Sequence, residues 1–347
     1  MTAGSPAPST VLTVDAATDP LWEQVALRHE SDVFHSPDWA GVLADTYGFD
    51  VRANVVMVGT DPVAGMAYVE VDDARGRRLI SLPFSDFCDP LVEDGEQWAQ
   101  LEAMLPVLEV PVTLRCLRRP VDGARWQESG SFAWHRIDVR RPLDEAWADL
   151  HASARRAIRK ARGEGVVVVP AESESDLRAF FEMHLQVRKH KYGLLAQPYR
   201  FFQSIWERFL RTGEGHLLLA KVEDRVVGGV LFLRWKETLY YKFNASDPGR
   251  LGVRPNDLLL WEGLTRAHES GLEWVDFGVS DWDQEGLIRY KEKYATESGQ
   301  VRKISSGPGP DDRLGSLLGS LTAVLTDPSV PDATTERAGD LLYGLFC

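Results

Sequence analysis

Two short stretches of this chain are variants of one pattern: Met57-Val58-Gly59-Thr60-Asp61-Pro62-Val63-Ala64-Gly65-Met66-Ala67 and Lys221-Val222-Glu223-Asp224-Arg225-Val226-Val227-Gly228-Gly229-Val230-Leu231. Each reads as a strand end, a polar turn, a small residue and a second apolar strand. The elements on either side come in the same order, which points to an internal duplication. Each copy must bury its own core. Helices alternating with strands therefore predict an α/β chain of two tandem domains, with mixed sheets flanked by helices.

A length of 347 residues accommodates two such domains. The expected division is a disordered leader over 1–15, a first domain over 16–145, a second over 146–306 and C-terminal helices over 307–347 that pack on the body. A formal charge of −13 excludes broad polyanion binding, so any nucleic-acid contact needs a local basic patch. Cys88, Cys116 and Cys347 are scattered and odd in number, which suits a reducing compartment and excludes a disulfide framework or a CxxC zinc site. The first ten residues lack the basic and apolar regions of a signal peptide, and no later run is apolar enough for a membrane span. A cytoplasmic protein is expected.

Helical spacing predicts a helix over 19–29 with Asp19 as N-cap, and a second through Tyr47 that Ser36 caps and Pro37 opens. Phe34, Trp39 and Leu43 are expected in its core. Strands follow over 53–58, 62–71 and 78–82, then a helix over 97–108 and strands over 112–116 and 134–139. The second half predicts helices over 147–162, 173–191, 199–212 and 257–270. Its strands fall at 166–169, 216–222, 226–235, 239–244 and 274–278. Amphipathic helices are expected over 314–325 and 335–346.

The segment Trp274 to Tyr294, WVDFGVSDWDQEGLIRYKEKY, carries the sharpest signal. A buried strand ends at Gly278, an acidic loop with Asp281 follows, and a short helix starts near Gly286. At about 100° per residue, Leu287, Tyr290, Lys291 and Tyr294 share a face while Lys293 points elsewhere. An inward ammonium just past a strand end is either a snorkelling side chain or a partner for Asp276 or Asp281, or a fixed charge aimed at an anionic transition state or a phosphate.

Two basic segments stand out in this acidic chain. In Arg155-Arg156-Ala157-Ile158-Arg159-Lys160-Ala161-Arg162, Arg155, Arg159 and Arg162 share one helical face and Arg156 with Lys160 another. That pattern is either a solvated face or a cradle for phosphates, such as those of an RNA end. Arg188 and Tyr192 are four apart near a helix end, a spacing that places a guanidinium and a phenol on one face. No GxSxG, HExxH, GxxxxGK or GxGxxG motif occurs, and the eight histidines show no metal-ligand spacing.

Taken together, the residues resemble the Fem family of aminoacyl-tRNA-dependent transferases, which are built from two acetyltransferase-like (GNAT-like) domains. The resemblance runs from about Phe34 to Lys303. It rests on Phe34 to Trp39, Leu82 to Asp89, Arg155 to Ala161, Arg188 to Tyr192, Asn256 to Trp261, Asp276-Phe277-Gly278 and Gly286 to Lys291. It implies transfer of an aminoacyl group from a charged tRNA to an amine, with no cofactor of the protein's own. Lys291 stands where the family stabilises the oxyanion, and Asp89 where it supplies a carboxylate near the acceptor amine. Arg188 and Tyr192 fall where the acceptor binds, with Asp86, Trp39, Asp276 and Asp281 as further substrate-binding candidates. Arg155, Arg156, Arg159 and Lys160 are the candidates for tRNA phosphates.

The expected acceptor is an amine-bearing peptide, natural product or peptidoglycan precursor. Leu43 replaces a lysine that precursor-binding members carry, Ala295 replaces a glycine after the lysine, and no long helical arm occurs. These departures weaken the case for peptidoglycan precursor. One alternative is an acyl-CoA-dependent N-acyltransferase, although Arg254-Pro255-Asn256-Asp257 lacks the glycines that cradle a pyrophosphate. The other is a non-catalytic binding scaffold.

Overall fold

The computed structural model describes residues 9–73, 75–106, 109–119, 121, 123–307 and 313–347. The chain divides into two compact units. One comprises Met1–Ser131, Gln300–Leu314 and Cys347, the other Phe132–Gly299 and Gly315–Phe346. The sequence-based boundary at 145/146 falls inside the second unit.

The first unit opens with strand β1 (Ser9–Asp15), which pairs antiparallel with β2 (Val51–Val58). This corrects the expected leader. STVLTVD is rich in β-branched residues, and its Thr13 hydroxyl bonds Asn54 on the neighbouring strand at 2.8 Å. The first eight residues lie outside the described residues. Helix α1 (Pro20–Arg28) starts at Asp19, whose carboxylate accepts from the Leu21 N–H, and α2 (Pro37–Tyr47) starts at Ser36, which accepts from Trp39. Strands β3 (Asp61–Asp73) and β4 (Gly76–Ile80) continue an antiparallel meander. Helix α3 (Gly95–Met104) then carries the chain to β5 (Val112–Cys116), which is parallel to β4. The other edge of β5 pairs antiparallel with residues 302–306 from the far end of the chain. Strand β6 (Trp126–Asp138) runs on into the second unit.

In that unit α4 (Leu143–Asp149) and α5 (Ala152–Gly163) replace the single helix expected over 147–162. Leu150 and His151 are extended, and His151 caps α5 through Ser153. Strand β7 (Val167–Pro170), α6 (Glu174–Gln186), α7 (Tyr199–Ile205) and the meander β8 (Gly215–Val222), β9 (Arg225–Trp235), β10 (Thr238–Ser246) follow. Helix α8 (Pro255–Glu269) crosses over to β11 (Trp274–Ser280), which is parallel to β10. Then come α9 (Glu285–Glu292), β12 (Glu297–Ser306), which from Gln300 onward belongs to the first unit, α10 (Arg313–Leu325) and α11 (Asp332–Leu342). The α11 segment is tied to α6 by the Arg178–Glu336 pair, with N···O distances of 2.7 and 2.8 Å.

The duplication extends to backbone irregularities. In the β2–β3 hairpin the register shifts between Val56 and Met57, and in β8–β9 it shifts at the matching place, between Ala220 and Lys221. Each hairpin then presents a glycine to a helix. A Cβ on Gly65 would lie 2.9 Å from the Asn54 carbonyl and 3.1 Å from Trp22 of α1, and one on Gly229 would lie 2.7 Å from Phe180 of α6. Both small residues let an aromatic-bearing helix lie close on the sheet.

Candidate active site

Helix α9 follows β11 across the acidic loop, and Lys291 is 4% exposed, as the helical spacing predicts. Its seat is a β-bulge. In the β6–β11 pairing, Asp276 faces Arg136 and Val279 faces Trp134, so Phe277 and Gly278 together oppose His135. Gly278 has φ +60°, which turns the backbone there out of the ladder. The freed carbonyls accept from the ammonium: Lys291 Nζ lies 2.9 Å from the Val279 oxygen and 3.3 Å from that of Gly278. The bulge is braced by Asp276, which is buried and accepts from the Trp134 indole N–H at 2.7 Å and the Gly278 N–H at 2.6 Å. Asp281 is exposed in the following loop.

Around the start of α8 lie three hollows that share lining residues. The first, of about 290 Å³, is lined by Arg156, Lys160, Arg254 and Lys293, together with Asp257. The Tyr294 hydroxyl donates to Asp257 at 2.7 Å; burial pushes the Asp257 carboxyl above its usual value and the tyrosine bond pulls it back. A second hollow, of about 210 Å³, shares Arg254, Asp257 and Lys293 and adds Tyr290. A third, of about 390 Å³, is lined by Tyr192, His190, Asn244 and Asn256.

Arg156 and Lys160 thus join a four-cation cluster. Arg155 and Arg159 do not line it: the Arg155 guanidinium donates to the carbonyls of Trp147 and Ala148, and Arg159 sits over the Trp147 ring. Sequence reading missed Arg254 and Lys293. Arg254 immediately precedes the Pro255 that opens α8, which placed it at the helix start, but nothing local linked it to the basic helix.

Arg188 and Tyr192 are not brought together. The helix widens into a π turn over Val187–Lys191, and the Arg188 Nε donates to the Leu195 carbonyl at 3.0 Å. Four residues no longer make one turn there, so the α-helical spacing argument fails. Tyr192 is 43% exposed and lines its hollow without Arg188.

In the first unit, the chain leaving β4 forms a loop in which Leu82 and Phe84 have φ +47° and +59°, a strained conformation for such residues. Trp39 is wholly buried and its indole N–H donates to Ser85 Oγ at 2.8 Å, so it supports this loop instead of facing a ligand. Asp86 is half-buried on the loop. Asp89, expected as a carboxylate near the acceptor amine, is buried and holds three backbone N–H groups, those of Leu117, Arg118 and Arg119, at 2.9, 2.8 and 2.9 Å. Both of its oxygens are engaged in closing that turn.

Among the described residues no group of three or more His, Cys, Asp or Glu side chains is placed to hold a metal ion. No helix among them is long and apolar enough to cross a membrane.

Residues 148–302 match the family model described as an acetyltransferase (GNAT) domain. No curated protein matches by sequence. Among solved structures, FemX superposes with a TM-score of 0.66 at 14% identity, covering 84% of this chain and 96% of its own. L-PGS from Bacillus licheniformis gives 0.54 at 12%, covering 90% and 96%. A tandem GNAT protein from the clavulanic acid biosynthesis pathway gives 0.52 at 14%, covering 88% and 100%. With the repeated meander and parallel crossover of each unit, these likenesses assign the chain a GNAT-like α/β fold built in tandem.

Proposed function

We propose that the chain is an acyltransferase that moves an aminoacyl group from a charged tRNA to an amine, forming an amide. The observation that carries this reading is the Lys291 ammonium, buried and fixed on the carbonyls of the β11 bulge. When the acceptor nitrogen adds to the ester carbon, the carbonyl oxygen becomes an oxyanion. A preoriented ammonium in a poorly solvated site stabilises that charge more than water does. The C–N bond forms, the ester C–O bond breaks, and the proton from nitrogen goes to the departing ribose oxygen. An ester of this kind is activated, so no strong base is required.

The cluster of Arg156, Lys160, Arg254 and Lys293 suits the phosphates at the tRNA end, and the Tyr192 hollow suits the acceptor. The choice of an aminoacyl donor rests on the resemblance to the Fem family, and the fold shared with FemX is consistent with it. The acceptor class is an amine-bearing peptide or cell-wall precursor.

A second reading, transfer from an acyl-CoA, is favoured by the acetyltransferase family match over 148–302. The start of α8 argues against it. Pro255 has no N–H to offer, and Arg254-Pro255-Asn256-Asp257 carries no glycine to bring the backbone close to a pyrophosphate. Assaying a mixed pool of aminoacyl-tRNAs against CoA thioesters, with a library of amines, decides between the two. Amide formation from the tRNA pool alone is expected; product from thioesters alone overturns the proposal.

A further inference from the structure

The register that creates the bulge also decides which side chains lie beside Lys291. Residues paired across antiparallel strands lie on one face, and alternate residues along a strand do too. His135 opposes the bulge and Ser280 pairs with Ala133, so His135, Ile137, Phe277 and Ser280 face the same way. Ile137 and Phe277 belong to one core with Tyr294, two residues past α9, and Tyr290 of α9 packs against that core, which puts α9 on this face. Trp134, Arg136 and Asp276 occupy the opposite face.

Two polar atoms on the α9 side have no hydrogen-bond partner among the described residues: His135 Nδ1 and Ser280 Oγ, in residues that are 3% and 2% exposed. A buried polar atom left without a partner destabilises the fold. Apolar side chains of the same size would fill these positions more stably. Retaining two unmatched polar atoms beside a buried ammonium points to a role other than stability.

We propose that His135 is a positioning residue for acyl transfer: while its ring is uncharged the Lys291 ammonium stays on the bulge carbonyls, and a proton on the ring unseats it. The inference rests on the role given to Lys291 above. The charged groups that act on the ring are Lys291 and Glu292, both from α9; β11 offers the neutral Ser280. An imidazolium would therefore face an ammonium across a poorly screened gap, with only an exposed carboxylate to offset it. Burial, and then the Lys291 charge, hold the ring below its ordinary value of 6.5, so it is neutral near pH 7. Acid titration of one ring then switches the site off.

The first arm of the test needs no substrate. NMR titration of the His135 ring is expected to show a midpoint below 6.5 in the wild type, and a higher one in Lys291→Met. A wild-type midpoint at or above 6.5, or one indifferent to Lys291→Met, overturns the proposal. The second arm follows kcat/KM against pH with whichever donor the assay above selects. The wild type is expected to lose about tenfold per pH unit below the ring's midpoint, and His135→Gln to lack that limb. An acid limb that persists in His135→Gln also overturns it. Because the ring titration is independent of the donor, a shifted ring alongside failure of the tRNA assay counts against the aminoacyl reading and for the His135–Lys291 coupling.

Discussion

The Lys291 ammonium lies 2.9 Å from the carbonyl oxygen of Val279, a group that regular pairing would have pointed at the neighbouring strand. The bulge thus converts ladder acceptors into a seat for a cation. Lys291→Ala is expected to lower transfer by about two orders of magnitude or more while the protein stays folded. Turnover within a few-fold of wild type, in a variant with an unchanged melting profile, would remove Lys291 from the mechanism.

Asp89 is expected to behave differently. Asp89→Ala removes a buried carboxylate and leaves the part-buried N–H groups of residues 117–119 without their protein acceptor, a loss of about 1–3 kcal/mol. Asp89→Asn keeps one oxygen and should cost less. Denaturant unfolding checks the order; a variant of full stability and lost turnover would instead restore Asp89 as a reacting group.

The basic hollow makes a salt-dependence prediction. Neutralising Arg156 or Lys160 should weaken charged-tRNA binding and flatten its dependence on log salt by about one unit for each phosphate that is no longer neutralised. The same change at Arg159, which lies over Trp147 outside the hollow, should alter the slope less. Equal slopes for all three variants would place the tRNA elsewhere.

Gly65→Ala and Gly229→Ala should each destabilise the protein by about 1–3 kcal/mol, since the added methyl meets the Asn54 carbonyl in one unit and the Phe180 ring in the other. Parallel losses in the two variants, read from unfolding midpoints, are the energetic counterpart of the duplicated bulge.

His184 supplies a pH test of stability. Burial, then Arg188, push its imidazole down to about 3, although the Gln197 side chain, 2.8 Å away, acts the other way. Below 6.5 the unfolded chain binds a proton that the folded one refuses. Stability should therefore fall as pH drops from 6.5 toward 3, at about 1.4 kcal/mol per pH unit, and His184→Leu should lack that component.

What the amino-acid sequence determined by itself was whatever depends on near neighbours in the chain. The Asp19 and Ser36 caps, the hairpin at 57–67 and its echo at 221–231, the inward turn of Lys291 and the grouping of Arg156 with Lys160 all follow from local spacing. What tertiary structure alone decided depends on partners far away along the chain. Ser9–Asp15 became a strand because Val51–Val58 offered it an edge, and Asp89 became a turn-holding group because residues 117–119 presented three N–H groups. Arg254 and Lys293 joined the basic helix only when α8 and α9 brought them there. The placement of His135 against the bulge likewise followed from the β6–β11 register. Hydrogen-bond pairing at long range carries no local signature, so no window of sequence could have displayed it.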